Sequence, residues 1–462
     1  MKLTKMTQIK TTDNNKKDLK LDFNEEQIES FYREFSDIEN KSLNDIEKLN
    51  PGLFIFPSKS SLRKDKIEEN FIFKIKDKKI QTYNLMGFIG RNNFSLNITS
   101  RFYPNKNDFF LHYLLRKVFN LNIVNLKMEI SNEPFYEFFL YLFPYFLKKA
   151  LFQGLFKDYQ HKKYNNANLK GSIDIVLHIR MNYPFLGKIA YQTREHAYDN
   201  RMTQLVRHTI EYIKTHPFGK GILDNDSETF SAVNQIIYST PTYSKKLRNQ
   251  IIQKNHKVIY HPYFTEYEPL RKICLQILRK EELSYGREKD KIYGILFDGA
   301  WLWEEYLNTV LKKENFIHPE NKSGKNAVYV FKDKTVPRFP DFYLAAQTEI
   351  QKAHFVLDAK YQNLKEFYNN NHLNILRQMI EYLYIMKAEK GGFIFPYSIE
   401  NNYDCVKTPN KYTVNGYGGK IYLFGLKINI QDEEYKDFIH HMESNENQLI
   451  IDIKEKMKNN EN

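Results

Sequence analysis

The sequence predicts an α+β multidomain protein with a β-rich N-terminal module, a mainly helical middle domain and a C-terminal α/β domain. Three observations predict it. Short runs of β-branched and aromatic residues cluster between Gly52 and Tyr103, long apolar stretches occupy residues 135–156, 202–214 and 269–280, and the last third alternates strand-like with helix-like segments. At 462 residues the chain is also too long for one ordinary core.

Residues 1–20 read as a disordered tail, because MKLTKMTQIKTTDNNKKDLK offers almost nothing apolar to bury. Residues 21–125 form the β-rich module. Leu53–Phe56, Phe71–Lys76 and the alternation of Phe94, Leu96 and Ile98 with Ser95 and Asn97 are its strands, and Asp108 is placed to cap a helix whose Phe109, Leu111, Leu114, Leu115 and Val118 share one face. Residues 126–285 form the mainly helical domain, in which Leu270, Ile273, Cys274, Ile277 and Leu278 recur at helical spacing. Within it, Leu169–Pro184 reads as a strand or hairpin from its β-branched alternation and closing proline. Asp199, Asn200 and Arg201 make a polar motif to which the sequence assigns no chemistry. The charged stretch at 281–291 precedes the final domain, 286–462.

The apolar run Phe138–Leu147 is about half the ~20 residues needed to cross a bilayer, so it reads as a buried helix and no membrane partner is expected. Lys and Arg number 69 against 56 Asp and Glu, and the net charge of +13 suits a polyanion such as DNA, although a lysine-rich composition alone would also produce it. Cys274 and Cys405 are the only cysteines and form no CxxC pair, which argues against a disulfide framework and a structural zinc site. With no apolar leader at the start, a cytoplasmic location is expected.

The segment Arg338–Gln362 carries the chemistry. DFYLAA and AHFVLDAKY read as two strands around a turn QTEIQK, so antiparallel pairing brings Asp341 and Asp358 into range, and Asp358 and Lys360, two apart, leave one face of their strand. Two carboxylates and a lysine at one sheet edge suit metal-dependent phosphodiester hydrolysis. The carboxylates hold Mg²⁺, with Mn²⁺ as a substitute, and Lys360 positions or deprotonates the attacking water. The plain alternative is a surface hairpin in which Asp358 merely pairs with Lys360. Against it, Phe355–Leu357 are apolar and mark a buried strand. A helix at His372–Lys390 carries Gln378 and Tyr382 four apart on one face, a helix in Phe297–Leu307 carries Glu304, and GFIFP at Gly392–Pro396 is a further strand.

This order resembles the PD-(D/E)xK restriction-endonuclease-like fold, with Pro340-Asp341 and Asp358-Ala359-Lys360 as its signature and Gln378 and Tyr382 as the helix motif of its RecB-like members. LWEEYL at Leu302–Leu307, PDFYL and LDAKYQ are similar to the McrC subunits of McrBC-type, modification-dependent restriction systems, including the LlaJI type. Upstream, MGFIGRNNFSLNITSRF, LFQGLFKDYQ, LKGSIDIVLHIR and EHAYDNRMTQLVRHTI extend the likeness over most of residues 80–400. The resemblance implies a DNA endonuclease subunit in defence against foreign DNA, which docks on a hexameric McrB-like AAA+ GTPase and stimulates it. It implies catalytic roles for Asp341, Asp358 and Lys360, with Glu304 completing the metal set of Asp341 and Asp358, unless Glu304 caps its helix or pairs with a lysine. Consistent with a motor in another chain, no GxxxxGK[ST] loop occurs, so no nucleotide is expected on this chain, and the glycines of Gly416–Lys420 read as a hairpin turn. The alternatives are a non-catalytic GTPase-activating adaptor that binds DNA and a stand-alone nuclease.

Overall fold

A computed structural model describes residues 7–46, 53–57, 71–119, 134–284, 293–319, 327–346, 353–363, 372–398 and 411–458, except for positions 22, 37, 40, 44, 92–93, 106–107, 218, 225, 258–260 and 417. The chain is mixed α and β, as the sequence predicts. It divides into two compact units, residues 1–121 with 289–462, and residues 122–288, against the three domains expected.

The first unit opens with β1 (Thr7–Thr12), β2 (Lys16–Asp18), α1 (Glu25–Phe35), β3 (Leu53–Phe56), β4 (Phe73–Lys76), β5 (Lys79–Thr82), β6 (Leu85–Arg91), β7 (Phe94–Thr99) and α2 (Phe109–Phe119). Residues 7–20 are not the disordered tail their composition suggested. β1 pairs in parallel with β7 along its whole length, and Ile9, Thr11 and Leu19 are buried. Two inward side chains on a strand suffice when a partner strand satisfies the backbone. Asn24 and Gln27 close a reciprocal capping box at the start of α1, whose Ile28, Phe31 and Phe35 face the core. Asp108 caps α2 as expected, its Oδ1 accepting from the Leu111 nitrogen at 3.1 Å.

The second unit contains α3 (Pro134–Phe152), β8 (Asp158–Asn166), β9 (Ser172–Ile173), α4 (Ile175–Met181), β10 (Ile189–Ala197), α5 (Arg201–Lys214), α6 (Gly219–Leu223), α7 (Ser227–Ser239), α8 (Arg248–Lys254) and α9 (Tyr267–Ser284). Phe139, Leu142, Phe143 and Leu147 of the apolar run are buried in α3, and among the described residues no helix is long and apolar enough to cross a membrane. The strand or hairpin expected at Leu169–Pro184 is reduced to the two residues of β9, and IVLHIRM is helical instead. The Asp174 carboxylate caps it by accepting from the Leu177 nitrogen at 3.1 Å, a local bond that overrides the β-branched preference. Asn200 also has a structural role: its Oδ1 accepts from the Met202 and Thr203 nitrogens and starts α5.

On its return the chain forms β11 (Tyr293–Asp298), α10 (Gly299–Leu311), β12 (Val328–Tyr329), β13 (Pro337–Arg338), β14 (Phe342–Ala345), β15 (Ala353–Ala359), α11 (His372–Ile385), β16 (Lys390–Ser398), β17 (Lys411–Thr413), β18 (Lys420–Ile428) and α12 (Tyr435–Lys458). β11 explains why the N-terminal module and C-terminal domain are one unit. It enters the N-terminal sheet, of order β1-β7-β6-β11-β3, antiparallel to β6 and parallel to β3. Its contact with β6 is close enough to require glycine, since a Cβ on Gly87 would lie 2.2 Å from the Ile295 carbonyl oxygen. The second five-stranded sheet has the order β14-β15-β16-β18-β17, with β15, β16 and β18 mutually parallel. α11 covers it through Met379, Tyr382 and Leu383, packed with Val356 and Phe393. Gly416, Gly418 and Gly419 all have positive φ between β17 and β18, the turn expected there.

Candidate active site

Phe342 pairs with Leu357 across β14 and β15, so Asp341, one residue ahead of β14, lies opposite Asp358 near the end of β15. The expected turn at 347–352 lies outside the described residues. The Lys360 nitrogen donates to the Ile394 carbonyl at 2.9 Å and extends the β15–β16 pairing past Ala359. The Lys360 ammonium is ion-paired with the Asp358 carboxylate, as alternation along a strand predicts. The Ala359 nitrogen donates to Asp341 Oδ2 at 2.7 Å. Asp341, Asp358 and Lys360 therefore form one cluster.

Their electrostatics follow from burial. Burial, reinforced by the negative charge of Asp358, pushes the Asp341 carboxyl well above the usual range. Burial works against the charge of Lys360, yet Asp358 and Asp341 outweigh it and hold the ammonium above its usual range. Lys360 thus keeps its proton at neutral pH, beside an Asp341 carboxyl held above its usual range.

The approach to Asp341 is braced from three sides. Gln378 Nε2 donates to the Tyr382 hydroxyl at 2.8 Å, and that hydroxyl donates to the Phe339 carbonyl at 3.3 Å. Arg338 pairs with Glu381 at 2.8 Å. His318 Nδ1 donates to the Asp341 carbonyl at 2.7 Å. Gln378 and Tyr382 thus act on the chain leading into Asp341. Sequence reasoning missed His318, which belongs to no periodic pattern and reaches Asp341 from a loop.

Glu304 sits on α10, started by Asp298 Oδ1 accepting from the Trp301 nitrogen at 2.9 Å. Its Oε1 lies 3.8 Å from His318 Nε2, and its charge acts on Lys360. Among the described residues no three His, Cys, Asp or Glu side chains converge as a cation site, so Glu304 is not gathered with Asp341 and Asp358 into a three-carboxylate set. The two aspartates still fit a hard divalent cation by donor chemistry. Facing carboxylates whose repulsion raises one of them gain from a dication that cancels it, and Mg²⁺ accepts one or two carboxylates while keeping its waters.

Among solved structures, the chain is similar to one in the refined half-complex of the tetradecameric assembly of Thermococcus gammatolerans McrB AAA+ hexamers with bound McrC, at 16% identity and TM-score 0.45, covering 95% of this chain and 100% of that one. It is also similar to a chain of the Thermococcus gammatolerans McrBC complex, at 15% identity and TM-score 0.32, covering 67% of this chain and 88% of that one. No curated protein matches. The family model described as "McrBC 5-methylcytosine restriction system component" matches residues 80–396, a span that holds Asp341, Asp358 and Lys360 and more than half of the sequence, and the chain belongs to that family.

Proposed function

We propose that this chain is the McrC-like nuclease subunit of a two-component restriction system, a Mg²⁺-dependent DNA endonuclease with a PD-(D/E)xK domain. It acts when assembled with an AAA+ GTPase, which it stimulates. The observation that carries this reading is the cluster of Asp341, Asp358 and Lys360 at the adjoining ends of β14 and β15. Non-catalytic roles for the chain place no demand on two buried carboxylates opposed beside a lysine, an arrangement that costs desolvation energy.

Asp341 and Asp358 would hold the cation, and Glu304 on α10 lies outside that pair, where its charge acts on Lys360. Bound there, Mg²⁺ would lower the pKa of water and offset charge building on the phosphate. Lys360 acts as a fixed cation: its raised pKa makes it a poor base at neutral pH and a good donor to a phosphate oxygen or to the incoming water. The net charge of +13 supplies nonspecific attraction to DNA phosphates.

The test is plasmid cleavage by the purified chain with Mg²⁺, alone and then with a McrB-like AAA+ GTPase and GTP. Cutting that requires the partner and GTP is expected. Site-specific cutting by the chain alone would replace the subunit reading with a stand-alone nuclease, and GTPase stimulation without any cutting would favour the adaptor.

A further inference from the structure

Tyr361, which follows Lys360, is buried against the N-terminal sheet of the same unit. Its hydroxyl shares a hydrogen bond with the Ser100 hydroxyl at 2.9 Å and lies 3.2 Å from the Met86 sulfur. Its ring meets Phe102 edge-on, with centroids 5.0 Å apart. The Arg101 guanidinium sits 5.0 Å from the Tyr361 ring centroid and donates to the Tyr361 carbonyl. Arg101 is itself fixed by Asp13, which pairs with the guanidinium at 3.3 Å and accepts from the Arg101 backbone nitrogen at 2.6 Å.

Ser100 and Arg101 after β7 and the Met86 sulfur in β6 thus meet at Tyr361, and Asp13 after β1 holds Arg101 in place. On the other side of Lys360, the chain is held by the Ile394 carbonyl and by Asp341. Packing alone explains a buried tyrosine ring, but a buried Arg–Asp pair beside it is weak for stability, because removing two charges from water offsets most of their attraction. What the pair does provide is direction: one guanidinium nitrogen is held by Asp13 while the other donates to the Tyr361 carbonyl, which ties the backbone after Lys360 to the N-terminal segment.

We propose that Tyr361, held by Ser100 and Arg101, is a positioning residue that sets where the Lys360 amine lies relative to Asp341 and Asp358. The N-terminal sheet then fixes the geometry of the site built on β14 and β15. This inference rests on the nuclease reading.

The test uses the full chain with its GTPase partner, GTP and Mg²⁺, and the variants Tyr361→Phe, Ser100→Ala and their combination. The expected result is a single-turnover cleavage rate about 10- to 100-fold lower in each single variant, as a sub-ångström misplacement produces, with KM for DNA and Tm close to wild type. The double variant should lose no more than the worse single one, since both remove the same bond. Hydrogen–deuterium exchange supplies a readout independent of cleavage, with faster exchange expected in the peptide spanning residues 353–361 of Tyr361→Phe and little change elsewhere. Wild-type cutting together with unchanged rate and exchange in Tyr361→Phe would overturn the positioning role alone. A rate loss explained by a matching rise in KM or fall in Tm would overturn it too. A wild-type chain that never cuts DNA would overturn the nuclease reading and the positioning role with it.

Discussion

The hydroxyl of Tyr382 donates to the carbonyl of Phe339 at 3.3 Å, so α11 grips the chain two residues ahead of Asp341. Tyr382→Phe removes that donor and also the acceptor of the Gln378 amide. Cleavage should fall about tenfold through loosening of Asp341, while stability drops by only about 1 kcal/mol, the net worth of such a bond. Rate and thermal unfolding measured side by side check this; a stability loss without a rate loss would make the tyrosine a packing residue.

Asp358→Ala should abolish cleavage and leave the circular dichroism of the chain unchanged, because it deletes one of the two carboxylates proposed to hold the cation, at the end of an intact strand. Lys360→Ala should lose most of the turnover with little change in DNA affinity, since the lysine is proposed to act on the reacting groups while the net charge of +13 supplies affinity. Filter binding and plasmid nicking separate the two effects. Cleavage at the wild-type rate in either variant would sink the assignment.

Deleting residues 1–18 should lower Tm and expose apolar surface. The deletion strips β1 from β7 and removes Asp13, the partner of Arg101. Dye binding and thermal unfolding are the measurements, and an unchanged Tm would show that the sheet does without its first strand.

Burial pushes the Asp108 carboxyl up to about 7. Its stabilising contribution is therefore complete below the unfolded value near 3.8 and is lost as pH rises through the folded one. Asp108→Asn removes the titration and leaves a pH-independent cost from one mismatched backbone bond. The wild type should lose stability relative to the variant between about pH 4 and 7, by on the order of 4 kcal/mol at most. Urea unfolding at several pH values reads this difference, and parallel pH profiles would refute it.

The candidate cluster was legible because its logic is local: alternation along β15 and pairing with the neighbouring strand place Asp341, Asp358 and Lys360 together within a short stretch of sequence. The same holds for Asp108 and for the Gly416–Gly419 turn, where one residue type meets one backbone need. What sequence did not reveal is pairing across distance. Nothing in YGILFD announces that it joins LFIF and LMGFIGR more than two hundred residues earlier, and nothing in Thr7–Thr12 shows that β7 awaits it. His318 and Arg101 reach the site from loops, where no period exists to read. At Ile175–Met181 the local signal itself misled, because the Asp174 cap outweighed β-branched preference.

The interior place of β11 also governs the order in which the protein can be made. When β1 to β7 have left the ribosome, β6 and β3 each present an unpaired edge that stays open until residues 293–298 are synthesised. The 122–288 unit emerges in between and can close its own contacts first, while the sheet waits for its missing strand. A ribosome stalled before residue 293 therefore carries a folded insert flanked by an incomplete sheet with two adhesive edges, the state in which this chain is most exposed to chaperones and to aggregation.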